Sequence, residues 1–281
     1  MKTAILTDSG ANLTPEFISK NKNLFVIPLM IVIDGKEYRD GIDIQPQEVY
    51  NQLDNHQVST SLPSGKDLED ALVKIKKAGF QQLVCVNISS GLSGTYNFFR
   101  LALQNETSLK IVHYDSKTLG GGLSLLVEEA LRLANLDTTL DKYVPMLNQL
   151  RFSDSTAFYT INTLHYLRKG GRIGKVEGTI GDILHIKPVI TVNDEGVYVT
   201  LSKAFGMKRS LISMKNILIE KFDHEPIEVI VHYGNNKEEA ELQAEKLKDG
   251  LNITKLSLTQ LTPVLGVHTG PDMLAFVARR K

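Results

Sequence analysis

Leu83-Val84-Cys85-Val86-Asn87-Ile88-Ser89-Ser90-Gly91-Leu92-Ser93-Gly94-Thr95-Tyr96 is the stretch from which the rest of the chain is read. Its first six residues are mostly apolar and β-branched, and Gly79 bounds them upstream, which is the pattern of a buried strand. Thr95–Leu103 has helical spacing. A strand that feeds a glycine- and hydroxyl-rich turn and then a helix creates a defined physical object. The free N–H groups of the first helical turn, and the positive end of the helix dipole, point into the turn. Such a turn suits a carboxylate or a phosphate. It also reads as an ordinary N-cap with spare serines.

The same grammar recurs on both sides. Thr3–Thr7 predicts a strand that ends in Asp8-Ser9-Gly10, and Thr60-Ser61-Leu62-Pro63-Ser64-Gly65 opens a helix with Leu68, Ala71, Leu72 and Ile75 on one face. Leu109–Tyr114 predicts another strand, and Gly120-Gly121-Gly122 precedes a helix over Leu123–Leu133. Leu24–Ile33 is almost wholly apolar and ends in the hairpin signal Asp34-Gly35. Strand, turn and helix in alternation predict an α/β fold with a mostly parallel sheet. Ligands of open α/β sheets bind at the carboxyl ends of the strands, so three hydroxyl-bearing turns are expected to converge on one head-group. Alternation weakens near Arg151–Ser155, which predicts two α/β domains, 1–153 and 154–281, the second with a mixed sheet and the ligand between them. In the second, Thr156–Ile161 is a strand, Ile186–Val192 and Val197–Leu201 form a hairpin, and Lys208–Phe222 is a helix. Val264–Val267 and Met273–Val277 are expected to close the chain as strands.

Composition narrows the function. Lys+Arg and Asp+Glu are both 32 in 281 residues, so a general electrostatic hold on nucleic acid is not expected. The single Cys85 sits inside the apolar strand, which predicts no disulfide framework and a reducing compartment. The N-terminal apolar run is too short for a signal peptide, and no stretch approaches the ~20 apolar residues of a membrane helix. The expectation is a cytoplasmic protein with no integral membrane segment. No histidine, cysteine or carboxylate spacing predicts a metal site, and no G-x-x-x-x-G-K-[ST] loop occurs.

Gly91-Leu92-Ser93-Gly94-Thr95 approaches the nucleophile elbow G-x-S-x-G but carries Thr95 at the last position. A serine hydrolase built on Ser93 and the late His268 therefore stays as an alternative, as does a small-anion-binding enzyme. Leu167-Arg168-Lys169-Gly170-Gly171-Arg172-Ile173-Gly174-Lys175 packs four cations and three glycines into nine residues. It reads as a solvated helix end or, more sharply, as a docking or anion-stabilising loop in which Arg172 grips a phosphate. Gly178–Ile190 supplies Ile180, Ile183, Leu184, Ile186 and Ile190 for a pocket wall or for plain core.

Thr7-Asp8-Ser9, Thr60-Ser61-Leu62-Pro63-Ser64, Ser89–Tyr96, Lys169-Gly170-Gly171-Arg172-Ile173, Ile186-Lys187-Pro188 and His268-Thr269-Gly270 occur in this order. Together they closely resemble the bacterial DegV family, the fatty-acid-binding subunits of fatty acid kinase. The resemblance implies a long-chain fatty acid held between two α/β domains, with no cofactor and no catalytic activity of the subunit's own. A separate ATP-dependent kinase subunit would phosphorylate the bound carboxylate to an acyl phosphate for phospholipid synthesis. Carried over motif by motif, Thr60, Ser61, Ser93, Gly94, Thr95 and His268 would hold the carboxylate. Ile180, Ile183, Leu184, Ile186 and Ile190 would line the tail, and Lys169 and Arg172 would face the kinase. One departure stands out: Asp272 follows His268-Thr269-Gly270-Pro271 where the family usually has a small residue.

Overall fold

The computed structural model describes residues 1–176 and 186–281. Three sheets build it. In the first, β2 (Leu24–Ile27), β1 (Thr3–Asp8), β6 (Gln82–Asn87) and β7 (Lys110–Asp115) lie side by side in that order, all parallel. Leu83, Val84, Cys85 and Val86 of β6 are all fully buried, because helices cover both faces of the strand. Leu83 and Cys85 pack with Leu68, Ile75 and Phe99 from the helices Gly65–Lys77 and Thr95–Leu103. Val84 and Val86 point the other way, into a core shared with Leu123, Leu126 and Val127 of the helix Gly120–Asn135. The continuous apolar run that marked the strand is thus the signature of a sheet buried on two sides.

The second sheet is mixed, in the order β10 (Tyr198–Phe205), β9 (Ile186–Val192), β8 (Ser155–Ile161), β13 (Met273–Arg280), β11 (Ile227–Tyr233) and β12 (Ile253–Gln260). Its neighbours are antiparallel except β11 and β12, which run parallel. One face packs Phe158, Val229 and Phe276 under the helices Met207–Phe222 and Lys237–Lys248. The opposite face turns Tyr159, Ile190, Ala275 and Val277 into the core that also holds Val84 and Leu123. The helix Gly120–Asn135 therefore lies between the two large sheets, within a shared apolar layer.

A third sheet, antiparallel, places β3 (Met30–Ile33) between β4 (Lys36–Arg39) and β5 (Val58–Ser61). The hairpin at Asp34-Gly35 is present, both residues at positive φ (49° and 83°). Leu24–Ile33 is not one element, however. Pro28 and Leu29 separate two strands that belong to different sheets. A second correction concerns Val264–Val267, which is not a strand but the middle of the helix Pro263–Thr269. Proline occupies its first turn, and Pro263 to Val267 are all buried. A helix enclosed on every side shows no polar stripe, so its short apolar run carries no periodicity that separates helix from strand.

Candidate functional site

The carboxyl edge of the parallel sheet is where side chains from distant segments meet. Thr60 and Ser61 are not in a free turn but end β5, paired with Ile31 and Met30 of β3. Ser93 lies in the turn after β6, and His268 on the helix Pro263–Thr269. These four, with Arg172, line one cavity of about 40 Å³. Ser61 is exposed, and Thr60, Ser93 and Arg172 are partly so, which leaves this end open to solvent.

His268 keeps a sliver of surface, but its Nδ1 is enclosed and finds no hydrogen-bond partner among the described residues. Its Nε2 lies 2.8 Å from Thr60 Oγ1. Burial first, and the Arg172 guanidinium second, push its pKa down to about 3. The imidazole is therefore neutral at physiological pH, a fixed polar partner and not a charge. One glycine of the basic loop, Gly170, is required by this histidine. A Cβ at Gly170 would stand 2.2 Å from His268 Nδ1, so only glycine lets the chain pass over the ring. Arg172 then reaches the cavity with its Nη1 donating to Gly170 O at 2.6 Å. Arg172 thus shares one cavity wall with Thr60, Ser61, Ser93 and His268. Lys169 is exposed, with Nζ donating to Leu53 O at 2.8 Å.

Ser93 Oγ is 2.8 Å from Thr95 Oγ1 and accepts the Thr95 N–H at 3.3 Å. Thr95 is fully buried and Gly94 exposed; neither lines the cavity, and both shape the turn that holds Ser93. The geometry is poor for a serine hydrolase. No described carboxylate bonds His268 Nδ1, and the Ser93 hydroxyl is engaged with Thr95. The Asp8-Ser9-Gly10 turn does not converge here either. Asp8 is a buried acceptor for Gly10 N, Asn87 Nδ2 and Ile88 N at 2.9–3.0 Å, and Ser9 Oγ accepts the Leu29 N–H. Burial raises the Asp8 carboxyl to about 6 against those hydrogen bonds.

Behind the polar end lies a second cavity of about 50 Å³, walled mainly by apolar groups such as Phe158, Val192, Leu261, Met273 and Val277. Leu119, Tyr198 and Leu265 line both cavities, so the two are neighbours along one path. Ile190 is buried core and Ile186 packs partly buried against it; neither lines this cavity. Ile180, Ile183 and Leu184 lie outside the described residues. Asp272 is exposed and is not part of the head-group wall. Leu119, Tyr198, Leu265, Tyr159 and His232 were not singled out from the sequence. Each sits in an ordinary strand, loop or helix, and only the packing of the two sheets gives it a role. Among the described residues no cluster of His, Cys, Asp and Glu has the arrangement of a metal site.

Comparison with known proteins identifies the family and the fold. Residues 2–281 match the family profile described as an uncharacterised protein, DegV family. A DegV domain-containing protein of Clostridium perfringens is 39% identical over 97% of this chain and 96% of its own. A DegV family protein from Thermus thermophilus, whose structure concerns fatty acid binding, superposes with a TM-score of 0.92 at 25% identity, covering 100% of both chains. A stearic-acid-binding protein from Eubacterium ventriosum superposes at 0.86 with 30% identity, covering 99% of this chain and 98% of that one. With a match over nearly its whole length, the chain belongs to the DegV family.

Proposed function

We propose that this protein binds one long-chain fatty acid and presents its carboxylate to a separate ATP-dependent kinase subunit for acyl phosphate formation. The observation that carries the reading is the meeting of Thr60, Ser61, Ser93, His268 and Arg172 at the open end of an otherwise apolar path between two sheets. Hydroxyl donors, a neutral imidazole and a guanidinium suit a carboxylate, and the apolar layer suits a hydrocarbon. Fatty acid binding by the Thermus thermophilus and Eubacterium ventriosum relatives supports it. Gly94 and Thr95 support Ser93 from behind, and domains 1–153 and 154–281 enclose the ligand. In this reading the protein has no catalytic activity of its own, needs no cofactor and works in the cytoplasm. Exposure of Ser61, Gly94 and Gly171 favours approach of a partner to the head-group, with Lys169 on the same loop as a docking charge.

The tail sets the affinity. Burial of a methylene is worth ~0.8 kcal/mol, so about fifteen of them offer on the order of 12 kcal/mol as an upper bound. Head-group hydrogen bonds to a charged acceptor add roughly 1.5–3 kcal/mol each before desolvation is subtracted. Cavities of about 40 and 50 Å³ hold less than a long acyl chain, so this reading requires the walls to part as the chain enters. Mass spectrometry of an organic extract from protein purified out of a bacterial host should show about one long-chain fatty acid per chain. An empty extract from a protein that also fails to take up fatty acid after delipidation refutes the reading.

A further inference from the structure

His232 sits in β11 with its ring on the wall of the inner, apolar cavity, only 2% exposed. Its Nδ1 has two neighbours: Asn12 Nδ2 at 3.3 Å and Thr259 O at 3.2 Å. Asn12 is oriented by its own bonds, since its Oδ1 accepts the Thr262 N–H and its Nδ2 donates to Gln260 O. Its amide nitrogen therefore faces His232 as a donor. Burial pushes the His232 pKa down to about 4, so the ring is neutral and carries a single proton. If Nδ1 accepts from Asn12, the proton is on Nε2. If Nδ1 donates to Thr259 O, Nε2 keeps a bare lone pair.

In either tautomer Nε2 is a buried polar atom with no hydrogen bond among the described residues. It faces Gly121, which lines the same cavity, and a Cβ there would stand 2.4 Å from it. An unanswered polar group against hydrocarbon is costly, and native interiors rarely keep one without a use. A saturated acyl chain does not answer His232 Nε2. A hydroxyl answers it in either tautomer, because it donates to a lone pair and accepts from an N–H.

We infer that His232 forms a second polar subsite within the tail path that recognises a hydroxyl group on the acyl chain, so that the preferred ligand class is a hydroxylated long-chain fatty acid. The inference rests on the fatty-acid reading above and narrows its ligand. The hydroxyl must lie in the body of the chain, since the head-group residues line the neighbouring cavity. Discrimination follows from an unpaired polar group: an unsubstituted chain leaves His232 Nε2 buried and unmatched.

Delipidated protein should be titrated with stearate and with hydroxystearates whose hydroxyl lies near the carboxyl, mid-chain or at the methyl end. One mid-chain isomer should bind roughly three- to tenfold tighter than stearate. In His232→Phe that ratio should fall to about one or below while stearate still binds. Equal or weaker binding of every hydroxy acid by the wild type overturns the inference, as does an undiminished preference in a folded His232→Phe. If stearate itself does not bind, the fatty-acid reading fails and this one falls with it. Should His232→Phe not fold, the ¹⁵N spectrum of wild-type histidines decides. The His232 Nε2 signal should move with the preferred hydroxystearate and not with stearate, and no difference between the two rejects the subsite.

Discussion

Replacing Arg172 separates two jobs that its loop could perform, holding the carboxylate or docking a partner. The guanidinium lines the head-group cavity and spends one Nη1–H on Gly170 O, which leaves other donors for a ligand. Two opposite charges about 4 Å apart attract by about 4 kcal/mol at an effective dielectric of about 20. Desolvation offsets part of this, and a hydrogen bond to a charged group keeps roughly 1.5–3 kcal/mol. Arg172→Gln should therefore weaken a long-chain acid by roughly ten- to a hundredfold. The assay is a double cycle: wild type and variant, each titrated with the acid and with the fatty alcohol of equal length. Only the acid should lose affinity, because the alcohol has no charge for Arg172 to meet. Equal losses for both ligands would mean that the side chain merely packs. No loss for either would return Arg172 to partner docking alone. The imidazole gives a second reading: Arg172 is the lesser of two causes that depress His268, so its removal should raise that pKa while burial still holds it below 6.5.

Two further outcomes follow from the surroundings of the site. Gly121→Ala places a Cβ 2.4 Å from His232 Nε2 and 2.8 Å from Val277 Cγ2, so stability in urea should fall by about 1–3 kcal/mol and tail affinity should drop with it; an unchanged midpoint means the helix yields freely. Asp40 is buried beneath the helix that carries His268, accepting from Thr262 Oγ1 and Val264 N, and burial raises its pKa to about 6. Its contribution is fully present below its unfolded pKa of 3.8 and is lost as pH rises through about 6. The stability of the wild type relative to Asp40→Asn should therefore decline by about 2 kcal/mol between pH ~4 and pH ~7, measured by urea unfolding at each pH; a flat difference rejects the buried, raised carboxyl.

What the sequence reveals and what it hides divide along a physical line. The parallel sheet was legible where a strand is buried on both faces, as β1 and β6 are, and where a turn and a helix follow it, as they follow β6 and β7, all within short stretches of chain. Thr60, Ser61, Ser93 and His268 were named from motifs, and they line one cavity. What the loop at Arg172 packs against was hidden, because the reason for Gly170 is a ring far along the chain. Glycine and cation content describe a loop, but not what it touches. The helix Pro263–Thr269 was hidden for a related reason: enclosure on all sides erases the polar face that betrays a helix.

His232 shows the same limit at its sharpest. In its strand His232 falls on the face of Glu228 and Ile230, opposite the apolar row Ile227, Val229 and Val231, so the alternation gives it no special place. Only when Asn12 and Thr259 claim Nδ1 does the other nitrogen stand out as unmatched. A carrier whose tail path were purely apolar would rank ligands by length and shape, at under a kilocalorie per methylene. One polar atom fixed in that path changes the rule. It makes the position of a hydroxyl, and no longer the count of carbons alone, a quantity the protein can read.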